Sequence, residues 1–167
     1  MKRLHVIFLA LIALFAFSSC SDDDDKNNDS NSIVGKWKLN GKSVSIDCSD
    51  AAIKAIIASN YEDISLPNAE YEFFDNGKFK FTEAATESSK GDNEEGEYTL
   101  NSRMITFITE GKYDDKDTEL AEYSIDKSTL TLKWDITEEC RAKYENDKDY
   151  EGTKISKVIE VKTYTSK

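Results

Sequence analysis

On both sides of Asp75-Asn76-Gly77 the chain alternates charge and ring: Glu70, Tyr71, Glu72 and Phe73 lead in, and Lys78, Phe79, Lys80 and Phe81 lead out. A two-residue period places all four rings on one face of an extended chain, and Asn-Gly adopts the left-handed conformation that a tight hairpin demands. Two antiparallel strands sharing an aromatic face are predicted here.

The pattern recurs. Tyr98 and Leu100 precede a turn at Asn101-Ser102 and are followed by Ile105 and Phe107; Leu120, Tyr123 and Ile125 run through Asp126-Lys127-Ser128 into Leu130, Leu132 and Trp134. Upstream, residues 33–39 carry Val34, Trp37 and Leu39 as a first strand, which Val44 and Ile46 continue beyond Asn40-Gly41. Downstream, residues 154–164 bring Ile155, Ile159 and Val161 for burial in a strand long enough to close the sheet against the first. Pro67, the only proline, falls in a connector, so no strand is interrupted. Eight or nine sequential, hairpin-linked strands predict an all-β fold, an up-and-down antiparallel eight-stranded barrel rather than a sandwich with long crossovers.

Two short helices are expected beside it. Ser49 or Asp50 can cap the first, whose Ala52, Ile53, Ile56 and Ile57 form an apolar stripe suited to the barrel mouth or flank. Asp135 and Thr137 can cap the second, over residues 138–146. The charged segments 83–95 and 111–119 read as loops in water.

The N-terminus gives an address. Lys2 and Arg3 precede an apolar run from Val6 to Phe17 that ends in Ser18, Ser19 and Cys20. This is a signal-peptide layout over residues 1–19, its apolar run shorter than the roughly 18 to 20 residues that cross a bilayer as a helix. Small residues ahead of a cysteine at that place resemble the lipobox of bacterial lipoproteins, and the resemblance implies cleavage that leaves Cys20 as a lipidated N-terminus. Ser21, Asp22, Asp23, Asp24 and Asp25 resemble the signal that directs lipoproteins of Bacteroidota to the outer face of the outer membrane; the alternative is a solvated acidic tether. Residues 21–32 hold nothing apolar to bury, so residues 20–32 predict a lipidated cysteine on a disordered leash, and residues 33–167 the folded domain.

The formal charge is -11, and it becomes more negative once Lys2 and Arg3 are removed. A nucleic-acid partner and an electrostatic grip on anionic lipid are therefore not expected, and membrane attachment falls to acyl chains of the palmitate kind. Once Cys20 carries lipid, Cys48 and Cys140 remain in an oxidising compartment. A bridge between them would close a loop of about 90 residues and stabilise the domain by roughly 4 to 5 kcal/mol in the chain-entropy account. Two buried free thiols are the alternative.

Gly35-Lys36-Trp37 resembles the Gly-x-Trp signature of lipocalins, in which the tryptophan closes the base of an eight-stranded barrel. The hairpin from Tyr71 to Phe79, and Gly96-Glu97-Tyr98-Thr99-Leu100, are similar to the strand-turn-strand units of lipocalin-like domains found in many Bacteroidota lipoproteins. The resemblance covers residues 33–165 and implies a calycin barrel with Gly35 and Trp37 at its base. Lipocalins often pack a final-strand arginine over that tryptophan; this chain has none there, and Lys157 or Lys162 would have to substitute.

Catalytic chemistry is sparse. The only histidine, His5, lies in the segment expected to be removed, so Ser-His-Asp, Cys-His and histidine-ligated zinc chemistry are not expected. A glycosidase-type carboxylate pair needs a defined spacing across a cleft, which the sequence does not indicate. Asp75-Asn76-Gly77 and Asp114-Asp115-Lys116-Asp117 lack EF-hand spacing and read as a turn and a solvated loop. No enzyme activity, metal or cofactor is expected. The interior aromatics remain: Tyr71, Phe73, Phe79, Phe81, Tyr98, Phe107, Tyr123 and Trp134 either fill the barrel or line a ligand cavity. Two functions follow as expectations, a surface lipoprotein binding a small apolar ligand, or a protein-interaction module of a cell-surface complex.

Overall fold

Each strand pairs with the next in sequence and the last pairs with the first, so the ladder closes on itself: β1 (Gly35–Cys48), β2 (Ala69–Phe73), β3 (Lys78–Glu83), β4 (Asp92–Asn101), β5 (Met104–Glu110), β6 (Lys116–Asp126), β7 (Thr129–Asp135) and β8 (Ile155–Ser166) form one antiparallel barrel. Helix α1 (Ala51–Tyr61) joins β1 to β2, and α2 (Thr137–Tyr144) joins β7 to β8. The computed structural model describes residues 32–61, 68–85, 90–111, 116–145 and 152–167. The export segment, Cys20, Ser21 to Asp25, Pro67, Asp114 and Asp115 lie outside the described residues. The expected eight-stranded up-and-down barrel with two short helices is what the chain forms.

The connections give the barrel two unlike ends. Tight turns join β2–β3, β4–β5 and β6–β7 at one end, with Gly77, Ser102 and Lys127 at positive φ of 77°, 55° and 54°. At the first of these, the Asn76 side-chain oxygen accepts the Lys78 N–H at 3.1 Å. Trp37 stands at this turn end, 3% exposed, and its indole N–H donates to the Ile33 carbonyl at 2.7 Å. Gly35 pairs with Phe73 and Trp37 with Tyr71 at the start of the β1–β2 ladder. The longer connections and both helices lie at the other end.

Four expectations are corrected, one of them in β8, where Ile155 is buried but Ile159 and Val161 lie on the face opposite Glu160 and Tyr164 and are only half-buried. β4 starts at Asp92 and β6 at Lys116, so parts of the two segments read as loops are strand. Main-chain pairing of Glu83 with Asp92 and of Lys80 with Glu95 outweighs the poor strand preference of acidic residues, helped by a Lys80–Glu95 ion pair at 2.8 Å. In α1, Ile53 and Ile57 are fully buried whereas Ala52 is exposed, so the helix turns its stripe away from that position.

There are two apolar clusters. One fills the barrel around Trp37, Phe73, Phe79, Ile105, Leu130 and Tyr164. The other lies between the helices and the extended β1 and β8 strands, and contains Ile53, Ile57, Ile136, Cys140, Tyr144, Ile155 and Val158. Burying Ile53 and Ile57 contributes roughly 3 to 6 kcal/mol to holding α1 in place. Asp50 caps that helix, accepting the Ala52 and Ile53 N–H groups at 2.7 and 3.1 Å. Among the described residues no helix is long and apolar enough to cross a membrane.

Candidate functional site

Cross-strand pairs share a face, so the register identifies every inward position. Toward the turn end the interior is filled by rings. Phe73 meets Tyr98 edge-on at 5.1 Å between centroids, Phe79 meets Phe107 at 5.0 Å, and Tyr71 stacks on Phe107 at 5.6 Å. The Tyr98 hydroxyl donates to the Phe74 carbonyl at 2.9 Å. Phe73, Phe79, Tyr98 and Phe107, four of the nominated ligand-lining residues, are thus buried against one another. Phe81, Tyr123 and Trp134 are partly buried against the same cluster.

Toward the helix end the interior becomes charged, and one irregularity in β1 starts the change. Leu39 pairs with Tyr164 and Gly41 with Thr163, leaving Asn40 as a bulge. A bulge shifts the alternation by one residue. Trp37 and Leu39 face inward before it, and Lys42, Val44 and Ile46 face inward after it, opposite Lys162, Glu160 and Val158 of β8. Glu160, 8% exposed, therefore stands inside the wall with Lys42 at 3.3 Å and Lys162 at 3.5 Å from its carboxylate. Each lysine also lies over a ring: Lys42 Nζ is 5.7 Å from the Tyr61 centroid, and Lys162 Nζ is 4.9 Å from that of Trp134.

The facing wall is acidic. Glu94 pairs with Phe81, Asp92 with Glu83, Glu119 with Phe107 and Asp117 with Thr109, all on the inward face. Partial burial raises the Glu94 pKa above the ordinary carboxylate range; a hydrogen bond with Thr109 opposes this, and Glu119, Asp92 and Asp117 add to it. Tyr71 and Tyr164 stand beneath these groups, with rings 5.4 Å apart. Burial first, and then Glu119, Glu94, Glu160 and Asp92, push Tyr71 far above the usual phenol range; burial, Tyr71, Glu160 and Glu83 do the same to Tyr164. Both hydroxyls stay neutral at physiological pH, and the residues are buried, Tyr71 at 8% and Tyr164 at 1% exposed. Tyr61, from α1, is pushed up to about 12 by burial and then by Cys140, Glu139 and Glu160.

The resolved shifts on tyrosines and on Cys140 are upward, away from activation. Among the described residues no three His, Cys, Asp or Glu side chains converge closely enough to hold a metal ion. Cys48 and Cys140 are free thiols, so the expected bridge is not formed. Both belong to the cluster between the helices and β1/β8, where they pack as small apolar groups. Lys162 lies over Trp134, whereas Lys157 pairs with Asp135 at 2.5 Å, so neither lysine takes the place over Trp37 that an arginine would.

A groove of about 870 Å³ runs along β3, β4 and β5, lined by the outward Lys80, Glu95 and Glu97 and also by Phe79 and Glu94, and its Lys80 is paired with Glu95. Lys42, Glu94, Glu119, Glu160 and Lys162 were not apparent as a site in the sequence. The one local signal was Glu160 itself, a carboxylate between Ile159 and Val161 in a strand that must be buried to close the barrel. The chain matches no known protein-family model, and a search of curated proteins likewise finds no match.

Proposed function

We propose that this chain is a lipoprotein of the outer-membrane surface, anchored through Cys20, that binds a small molecule in the helix-flanked mouth of its barrel. The observation that carries the proposal is Glu160 with Lys42 and Lys162 at inward positions. A barrel used only as a scaffold gains most by filling such positions with aliphatic side chains, as this one does with Leu130 and Ile105. Burying a charge network instead costs desolvation that its own attraction barely offsets. Departures of this kind concentrate where a protein binds or reacts.

The aromatic floor formed by Tyr71, with Phe81 and Trp134 partly exposed beside it, suits the apolar body of a ligand. The charged rim suits a polar head. This retains the expected apolar contact and adds a requirement for polarity that rings alone do not impose. Among the described residues the alternative, a protein-interaction module, has singly exposed apolar side chains such as Val34, Phe74 and Leu120 in its favour, which is ordinary for a protein surface.

Native mass spectrometry of the protein extracted from its own cell envelope in mild detergent tests both parts. The expected mass is a chain starting at Cys20 with acyl groups attached, plus a non-covalent increment that disappears in the Lys42→Met, Glu160→Leu, Lys162→Met triple variant. A chain that retains residues 1–19, or an increment that the triple variant keeps, would refute the corresponding part.

A further inference from the structure

We infer that the turn end of the barrel is a membrane-docking face, which seats Val34, Phe74 and Leu100 in the interface of an acidic bilayer and sets Lys78, Arg103 and Lys127 against its headgroup phosphates. This rests on the anchor at Cys20 and names the surface that the domain then meets. The chain enters the fold at this end: Ile33 is 4% exposed, and its carbonyl accepts the Trp37 indole N–H at 2.7 Å. Twelve residues, Ser21 to Ser32, separate it from Cys20, and a flexible chain of that length spans about 20 Å. β1 alone is fourteen residues, about 45 Å of strand running from this end toward the helices. Such a tether brings the turn end to the bilayer and leaves the mouth turned toward solution.

The face differs from the rest of the surface in two independent ways. Among the described residues four large apolar side chains are exposed, and three of them, Val34, Phe74 and Leu100, stand at this end. Gly35 pairs with Phe73, so Val34 and Phe74 leave the ladder side by side. The Phe74 carbonyl accepts the Tyr98 hydroxyl at 2.9 Å, two residues before Leu100. Leu100 pairs with Ile105 on the inward face yet is 42% exposed, because the barrel ends there. Each is ordinary alone; gathered at one rim they form an apolar face. Charge is the second difference. The chain as a whole stands at -11, which opposes attraction of the entire molecule to acidic lipid. Its acids are unevenly placed, with Glu83, Asp92, Asp117, Glu138 and Glu139 toward the helix end. Each of the three hairpin tips instead carries one exposed cation, Lys78, Arg103 and Lys127, and none of these forms an ion pair among the described residues. Asp75 and Asp126 share those tips, and Lys36 and Lys167 beside them hold Glu72 and Glu70. Apolar side chains that enter an interface and cations that meet its headgroups are the two parts of interfacial binding. A second copy docked end to end would bring the same three cations against these.

The test places the mature chain on vesicles of phosphatidylglycerol and acyl-brominated phosphatidylcholine in equal parts, with a hexahistidine stretch in place of Cys20 and a nickel-chelating lipid to hold it. Docking is then read whether or not the native chain is acylated, and the mass of the native chain, measured as above, decides the anchor separately. Bromine quenches a tryptophan that enters the bilayer, so the emission added by Phe74→Trp is compared with that added by Leu120→Trp, an exposed apolar position on the barrel wall. The Phe74→Trp emission is expected to be quenched about threefold more strongly. The Lys78→Glu, Arg103→Glu, Lys127→Glu triple variant is expected to bring that quenching down to the Leu120→Trp level, with a thermal melt showing that it is folded and co-flotation showing that it stays on the vesicle. Equal quenching at the two positions, or none for Phe74→Trp, would overturn the docking face. Quenching that survives in the triple variant would overturn the part given to the cations.

Discussion

Replacing Glu160 by glutamine removes the one anion between Lys42 and Lys162 while keeping the shape of the side chain. At 3.3 and 3.5 Å the gross attraction is about 5 kcal/mol for each lysine at an effective dielectric near 20. Desolvation of a carboxylate 11% exposed, and water reaching lysines that are 21% and 30% exposed, offset most of that. What matters is the state left behind: two ammonium groups on one inner wall facing a neutral amide. We expect Glu160→Gln to lower the unfolding free energy by about 3 kcal/mol, at the low end of the penalty for orphaning buried charge. The Lys42→Met, Glu160→Leu, Lys162→Met triple variant, with all three charges gone, should be as stable as the parent or more so. Urea unfolding at neutral pH, followed by tryptophan fluorescence, measures both. A triple variant less stable than Glu160→Gln would mean that the charges hold the barrel together, and their presence would no longer argue for a ligand.

Two further expectations concern the scaffold. A methyl group at Gly96 would come within 2.3 Å of the Ile108 carbonyl oxygen and 2.9 Å of the Phe79 ring. Backbone cannot yield cheaply, so Gly96→Ala should cost about 2 to 3 kcal/mol in thermal unfolding, and an unchanged melting temperature would show that β4 and β5 are less tightly drawn together than described. The Asp135 carboxyl is held down at about 2 by its hydrogen bonds with Lys157 and then Thr137. Its contribution is therefore present above the ordinary value of 3.8 and is lost as pH falls from there toward 2. Because the side chain is 51% exposed, Asp135→Ala should remove only about 1 kcal/mol at neutral pH, with the two stability curves converging near pH 2; a constant gap would disprove the linkage.

The hairpins were legible because each pairs a two-residue alternation with a local turn signal, and Gly77, Ser102 and Lys127 sit at the three tips. Closure of β8 on β1 followed from the lengths of those two runs. The charged groups at inward positions were not legible. Lys42 and Lys162 look like ordinary surface lysines in sequence, and only the slip at Asn40, set by pairing with a strand more than a hundred residues away, turns Lys42 inward. The acidic starts of β4 and β6 resemble solvated loops for the same reason: their strand character is conferred by β3 and β5 rather than by their own composition. The nominated rings were correctly placed in the interior. Which of them plug the barrel and which border its opening depends on depth along the strands, which a period of two does not encode.

The register beside Asn40 also has an evolutionary meaning. Because Leu39–Tyr164 and Gly41–Thr163 are consecutive pairs, losing the Asn40 codon only irons out the bulge, whereas losing the Lys42 codon two positions on, with the pairing before it kept, exchanges the two faces of the rest of the strand, turning Ser43, Ser45 and Asp47 inward and Val44 and Ile46 outward. A descendant with that deletion would lose Lys42 as a partner of Glu160 and the apolar seat under α1 together, without a single substitution. A lineage can therefore renew the lining of such a barrel by adding or dropping one residue, and two relatives nearly identical in alignment, apart from one gap, would present different interiors on the same scaffold.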